Sequence, residues 1–110
     1  MIGRYERTIV DLGTGDGSAV LRLARKDPEL LAIGVDSDAN GLRDGSRCAA
    51  RPVHKGGLPN AVFLVGDARA VLAELRGRVD EVRITLPWSS LLRAVLHGDQ
   101  GFAHAVAGSL

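Results

Sequence analysis

The sequence has little of what marks several whole classes of protein. Its 110 residues include one cysteine, Cys48, so no disulfide closes within the chain and a disulfide-stapled secreted scaffold is excluded. No run of about 18 apolar residues occurs and no charged-then-apolar leader opens it, so neither membrane spanning nor secretion is indicated and the cytoplasm is the expected compartment. The formal net charge is only +1. A balance that small does not mark a nucleic-acid binder in bulk, and any RNA contact has to come from local clusters of arginine. Cys48 and His54 have no partners at metal-ligand spacing, so no metal site is expected. Aromatic residues make up 4% of the chain, and against that background the sole tryptophan, Trp88, calls for an explanation beyond routine core filling.

What is present is the composition of one globular domain, 45% hydrophobic and 25% charged, with room for one core. Arg7 to Leu12 is a short β-branched, apolar run stopping at Gly13, which reads as a buried parallel strand ending in a glycine turn. Ser18 to Lys26 reads as a helix closed by Asp27-Pro28. Leu30 to Val35 is a second strand ending on Asp36. Ser37 or Asp38 caps a second helix through about Arg51, which Gly41 and Gly45 should weaken by roughly 1 kcal/mol each against alanine. Pro52 and 54–60 form a loop. Ala61 to Val65 reads as the third strand, and a short helix spans Ala70 to Leu75. Val79 to Leu86 alternates as the fourth strand until Pro87 ends it, and Ser89 to Leu96 is helical. Strands alternating with helices specify an α/β fold: a parallel sheet with right-handed crossovers and helices on both faces.

The chemistry gathers at the ends of these strands. Asp11-Leu12-Gly13-Thr14-Gly15-Asp16-Gly17 occupies the first strand-to-helix turn, where glycines let a ligand approach the backbone and the helix N-terminus offers free amide donors. A dinucleotide fingerprint wants glycine where Ser18 stands and an uncrowded anion site. Two carboxylates beside the loop disfavour a pyrophosphate and suit a cofactor bearing an ammonium and a sulfonium. A nicotinamide or flavin site and a merely tight turn are the competing readings. Asp36, nineteen residues beyond Gly17, stands where a carboxylate accepts the hydroxyls of an adenosine ribose, or else caps the next helix. Asp67 ends the third strand at the same edge, either facing an adenine amino group or merely exposed.

In this order the strand ends resemble those of the class I, Rossmann-like methyltransferases. Leu86-Pro87-Trp88-Ser89-Ser90-Leu91-Leu92-Arg93 and Arg51-Pro52-Val53-His54-Lys55-Gly56-Gly57-Leu58-Pro59-Asn60 are similar to the proline-tryptophan and glycine-glycine-leucine segments of the 16S rRNA (adenine(1408)-N1)-methyltransferases, a family tied to aminoglycoside resistance of the kanamycin and apramycin type. The likeness runs from Val10 to about Asp99. It implies S-adenosylmethionine as cofactor, held by Asp11, Gly13, Thr14, Gly15, Asp16, Gly17, Asp36, Asp67, Ala68 and Ser90. It implies that Trp88 stacks on the flipped target adenine, a contact that contributes roughly 1 to 3 kcal/mol, burial being the alternative. Ser90 equally suits a helix N-cap. Arg47, Arg51 and Lys55 match the basic linker the family lays on 16S rRNA in the 30S subunit, the alternative being a solvated helix face.

Some positions depart from the family pattern. Ser89 replaces the usual glycine after the tryptophan, and Arg69 stands where a glutamate is customary near the cofactor. The segment before the first strand is shorter than the family's. The later strands, and a second tryptophan to sandwich the adenine, have no counterpart before Leu110. Residues 1–110 are therefore expected to form a single S-adenosylmethionine-binding domain equivalent to the N-terminal half of the fold, incomplete at its C-terminal end, with an uncovered sheet edge open to self-association. The rivals to an rRNA adenine-N1 methyltransferase are a class I methyltransferase acting on tRNA or a small molecule, and a catalytically incomplete cofactor-binding fragment.

Overall fold

A computed structural model describes residues 5–84 and 108–110. Four strands, β1 (Arg7–Leu12), β2 (Leu30–Asp36), β3 (Ala61–Val65) and β4 (Glu81–Ile84), form one parallel sheet in the order β3-β2-β1-β4. Three helices, α1 (Ser18–Lys26), α2 (Ala39–Ala50) and α3 (Ala68–Glu74), connect them, and a 3-10 turn covers Val53–Lys55. The chain steps outward from β1 to β3 and then returns to place β4 on the free side of β1. The strand order reverses between β1 and β4, and open parallel sheets bind ligands beyond the carboxyl ends of the strands at such a reversal.

The two faces of the sheet are packed differently. Val10 and Leu12 of β1 and Leu31, Ile33 and Val35 of β2 meet Ala68 and Leu72 of α3, with Val79 completing a core of branched aliphatics. On the other face Val20 and Ala24 of α1 lie on Ala32 and Ala61, with Leu21, Leu23, Ala49, Leu58 and Phe63 around them. Small residues dominate there, and the helices come close to the sheet.

Most boundaries agree with the sequence pattern, and the differences have local causes. α2 stops at Ala50 because Arg51 turns extended, at φ −62° and ψ 156°, as a residue before proline does. It is capped by Asp38, whose side chain accepts from the Asn40 N–H at 2.9 Å. α3 starts at Ala68, two residues earlier than the apolar spacing suggests. β4 is shorter at its start than the alternation implies: the Val79 N–H donates to the Ser109 carbonyl at 2.9 Å, outside the sheet ladder. Leu86 and the expected helix from Ser89 to Leu96 lie outside the described residues.

Asn60, at the end of the second crossover, ties it to the end of the first. It is buried, and its Nδ2 donates to the carbonyls of Ala24, Asp27 and Leu30 at 2.8 to 3.0 Å. Its own carbonyl accepts from the Ala32 N–H at 2.9 Å. One side chain thus joins the last turn of α1 at Ala24, the turn at Asp27 and the first residue of β2, Leu30, to the residue that precedes β3.

Candidate cofactor-binding site

The loop after β1 holds three glycines in the left-handed region, Gly13 at φ 66°, Gly15 at 65° and Gly17 at 80°, which L side chains adopt only at a cost. Gly13 and Thr14 both donate backbone N–H bonds to the Val35 carbonyl, at 2.8 and 3.2 Å, so the loop is laced to the end of β2. Asp36 completes that link. Its Oδ2 accepts from the Gly15 N–H at 2.9 Å and its Oδ1 from the Asp38 N–H at 3.0 Å. The carboxylate therefore braces the glycine loop against the start of α2. The cap of that helix belongs to Asp38, and each Asp36 oxygen keeps acceptor capacity for a ligand hydroxyl.

Asp16 is exposed, and its Oδ1 accepts from the Ser18 N–H at 3.0 Å, doing for the first turn of α1 what its Gly17 N-cap has no side chain to do. Hydrogen bonding to Ser18 holds the Asp16 carboxyl below the ordinary carboxylate value, so it is ionised at neutral pH. The Thr14 hydroxyl is buried and has no hydrogen-bond partner among the described residues. Asp67 is exposed at the N-cap position of α3 without a side-chain cap bond, and Ala68 is buried at the first turn. The structure thus gathers Gly13, Thr14, Gly15, Asp16, Gly17, Asp36, Asp67 and Ala68 at the carboxyl edge of the sheet.

Asp11 has a different setting. It is 1% exposed, on the α1 face of β1, and lines a cavity of about 300 Å³ with Ala19, Arg22, Leu23, Lys26 and Arg83. It is the second-last residue of β1, directly before the glycine turn and beside α1. Trp88 and Ser90, the expected base-stacking and hydroxyl positions, lie outside the described residues, as does Ser89. Arg69 is exposed in the first turn of α3.

The basic positions form a surface of their own. Arg47, Arg51 and Lys55 are exposed, with Arg43 one turn earlier on α2. The loop beyond Arg51 is tightly closed: the Pro52 carbonyl accepts from the N–H groups of Lys55 and Gly57 at 2.8 and 3.1 Å. A Cβ on Gly57 would lie 1.6 Å from the Arg51 carbonyl oxygen, so no side chain fits at this point.

Sequence reasoning counted Gly41 and Gly45 only as a cost to α2. In the structure they are where the glycine loop lies on the helix: a Cβ on Gly41 would meet the Gly15 carbonyl oxygen at 3.1 Å, and one on Gly45 the Asp16 carbonyl oxygen at 2.8 Å. Their four-residue spacing, which puts both on one helix face, was the available signal. Phe63, which packs under the same loop, gave no signal in the sequence.

A parallel sheet reversing at β1 and β4, an acidic glycine loop after β1 and a carboxylate ending β2 define a Rossmann-like class I methyltransferase fold. Residues 1–109 match the family model described as NpmA: 16S rRNA (adenine(1408)-N(1))-methyltransferase. The chain belongs to that family. It is 36% identical over 107 residues to the Escherichia coli 16S rRNA (adenine(1408)-N(1))-methyltransferase, covering 97% of this chain and 49% of that protein. The crystal structure of the aminoglycoside resistance methyltransferase NpmB1 superposes with a TM-score of 0.92 at 40% identity, over 99% of this chain and 53% of that one. A mutant of the Catenulisporales acidiphilia 16S rRNA (adenine(1408)-N(1))-methyltransferase, solved with cosubstrate SAM, superposes with a TM-score of 0.91 at 36% identity, over 98% and 53% of the two chains. The chain spans about half the length of the relatives it matches.

Proposed function

We propose that this chain binds S-adenosylmethionine at the carboxyl edge of β1, β2 and β3 and serves methyl transfer to N1 of adenine 1408 in 16S rRNA of the 30S subunit, giving aminoglycoside resistance. The observation that carries the reading is the bracing of the glycine loop by Asp36, which joins the loop to the strand end that faces an adenosine ribose. The donor set fits the cofactor. No cation stands in the loop, and Asp16, Asp36 and Asp67 put negative charge where a sulfonium and an ammonium gain from it, whereas a pyrophosphate would be repelled. That a relative at this similarity is solved with SAM supports the same assignment.

When bound, S-adenosylmethionine would supply an electrophilic methyl group whose transfer to N1 breaks the S–CH3 bond and leaves the neutral thioether S-adenosylhomocysteine, with no obligatory general base for the attack. The chain's own task is placement. Asp36 accepts the ribose hydroxyls, the loop backbone from Gly13 to Gly17 passes close to the methionyl portion, and Asp67 and Ala68 border the adenine. Trp88 stacks on the extruded base and Ser90 offers a hydroxyl to the cofactor. Arg47, Arg51 and Lys55 hold the rRNA backbone. Orientation of this kind contributes about 7 to 11 kcal/mol to a barrier when the geometry is good. Action on 30S subunits would take place in the cytoplasm; no helix among the described residues is long and apolar enough to cross a membrane.

Residues 1–110 would then act as the cofactor-binding half of the fold. This reading is supported by the share of the relatives that the chain spans, about half their length, and by the gathering of the assigned positions from Gly13 to Ala68 at the carboxyl edge of the sheet. Expression of residues 1–110 in a sensitive bacterium, with kanamycin and apramycin challenge and primer extension across the decoding site, tests the activity. Modification of adenine 1408 with resistance establishes a working enzyme; cofactor binding without modification establishes the binding half alone.

A further inference from the structure

Phe63 lies under the loop that the proposed function assigns to the cofactor, in a cradle made by three glycines from three different elements. A Cβ built on Gly17, at the N-cap of α1, would lie 2.4 Å from its Cε1. One on Gly34 of β2 would lie 2.9 Å from its Cδ1, and one on Gly45 of α2 3.2 Å from its Cζ. The ring therefore takes the space that side chains on the loop, the strand and the helix would otherwise fill. The Gly34 position also touches Thr14 Cγ2 at 3.0 Å, and the Gly45 position touches the Asp16 carbonyl oxygen at 2.8 Å. Loop residues 14, 16 and 17 thus border the ring or the glycines that admit it. Phe63 stands opposite Gly34 in the β2–β3 register, so the sheet sets its position and the loop rests on it.

We infer that Phe63 is a positioning residue for the glycine loop, the rigid floor that keeps Thr14 to Gly17 in the shape that receives S-adenosylmethionine. The inference rests on the proposed cofactor site for its functional meaning, and on the glycine cradle alone for its structural content. Packing at this density tolerates no vacancy without rearrangement. A loop that holds its binding shape a tenth of the time binds about tenfold more weakly.

The test compares Phe63→Leu with Leu31→Val, a substitution in the aliphatic core on the opposite face of the sheet. Hydrogen exchange reads the amides of Gly15, Gly17 and Ser18, which donate to Asp36, Thr14 and Asp16, without any cofactor. Phe63→Leu should speed their exchange about tenfold and weaken S-adenosylmethionine binding about tenfold, while Leu31→Val changes neither. Gly45→Ala supplies a second route. It raises helix propensity yet drives a methyl group into the Asp16 carbonyl, so it should loosen or displace the loop while far-UV circular dichroism shows α2 intact. Equal loop exchange in Phe63→Leu and Leu31→Val overturns the inference. Faster loop exchange in Phe63→Leu together with no S-adenosylmethionine binding by the unaltered chain upholds Phe63 as the floor and overturns the cofactor reading instead.

Discussion

The two faces of the sheet solve opposite problems. Beneath α3 the sheet offers Val10, Leu12, Leu31, Ile33 and Val35, all nearly inaccessible, and stability there comes from filled volume. Beneath α1 and α2 it offers Ala32, Gly34 and Ala61, and the helices answer with Ala24, Gly41 and Gly45. That second face gives up apolar burial so that a backbone loop can lie between a strand end and a helix. The contrast separates residues that hold the domain together from residues that shape the site.

The largest effect should come from the aliphatic face. Leu31→Ala removes a side chain that is 1% exposed, and a loss of about 2 to 5 kcal/mol is expected in denaturant unfolding. The small-residue face should respond to added volume. A methyl group on Gly34 would meet Phe63, Thr14 and Val20 at 2.9 to 3.0 Å, so Gly34→Ala should cost about 1 to 3 kcal/mol. If Gly34→Ala were neutral while Leu31→Ala cost its full share, the second face would be loosely packed and the contrast drawn here would fail.

The basic surface belongs to neither face and should leave folding almost untouched. Replacing Arg47, Arg51 and Lys55 together with alanine should change stability by less than about 0.5 kcal/mol per site, yet reduce the salt slope of 30S binding by about 2 to 3 units. A full salt slope in the triple variant would make these side chains a solvated helix face. The smallest effect concerns pH. Hydrogen bonding to Ser18 lowers the folded carboxyl of Asp16, so its contribution is present above the ordinary carboxylate range of about 3.9 and is lost as pH falls through the lower folded value. Asp16→Asn should flatten that acid limb of the stability profile slightly, and an unchanged limb would show that Asp16 is equally free in both states.

Much of this was legible in the residues, and the reasons differ from place to place. β1, β2 and β3 declare themselves because short runs rich in branched aliphatics stop at Gly13, Asp36 and Gly66, and β2, in the middle of the sheet, is apolar and buried along nearly its whole length. The acidic glycine loop, Asp36 and the likeness of the segments around Pro87 and Gly57 pointed to the family that the comparisons then showed. Asn60 was read only as part of a loop, because its three carbonyl partners lie 30 to 36 residues away in the chain. Gly41 and Gly45 were misjudged for the same reason: propensity is local, whereas the backbone they admit arrives from β1. Asp11 is legible as part of the first strand, whereas its burial beside α1 depends on how that helix packs back on the sheet.

Asp36 is the residue that would join the glycine loop to a cofactor ribose. Calorimetric titration of residues 1–110 with S-adenosylmethionine, repeated for Asp36→Ala and with NAD as the competing ligand, tests it directly. Saturable binding of S-adenosylmethionine by the unaltered chain, weakened in Asp36→Ala by about 1.5 to 3 kcal/mol as expected for a hydrogen bond to a charged group, with NAD the weaker ligand, is the predicted result. Equal affinity in the two proteins, or tighter binding of NAD, would contradict it.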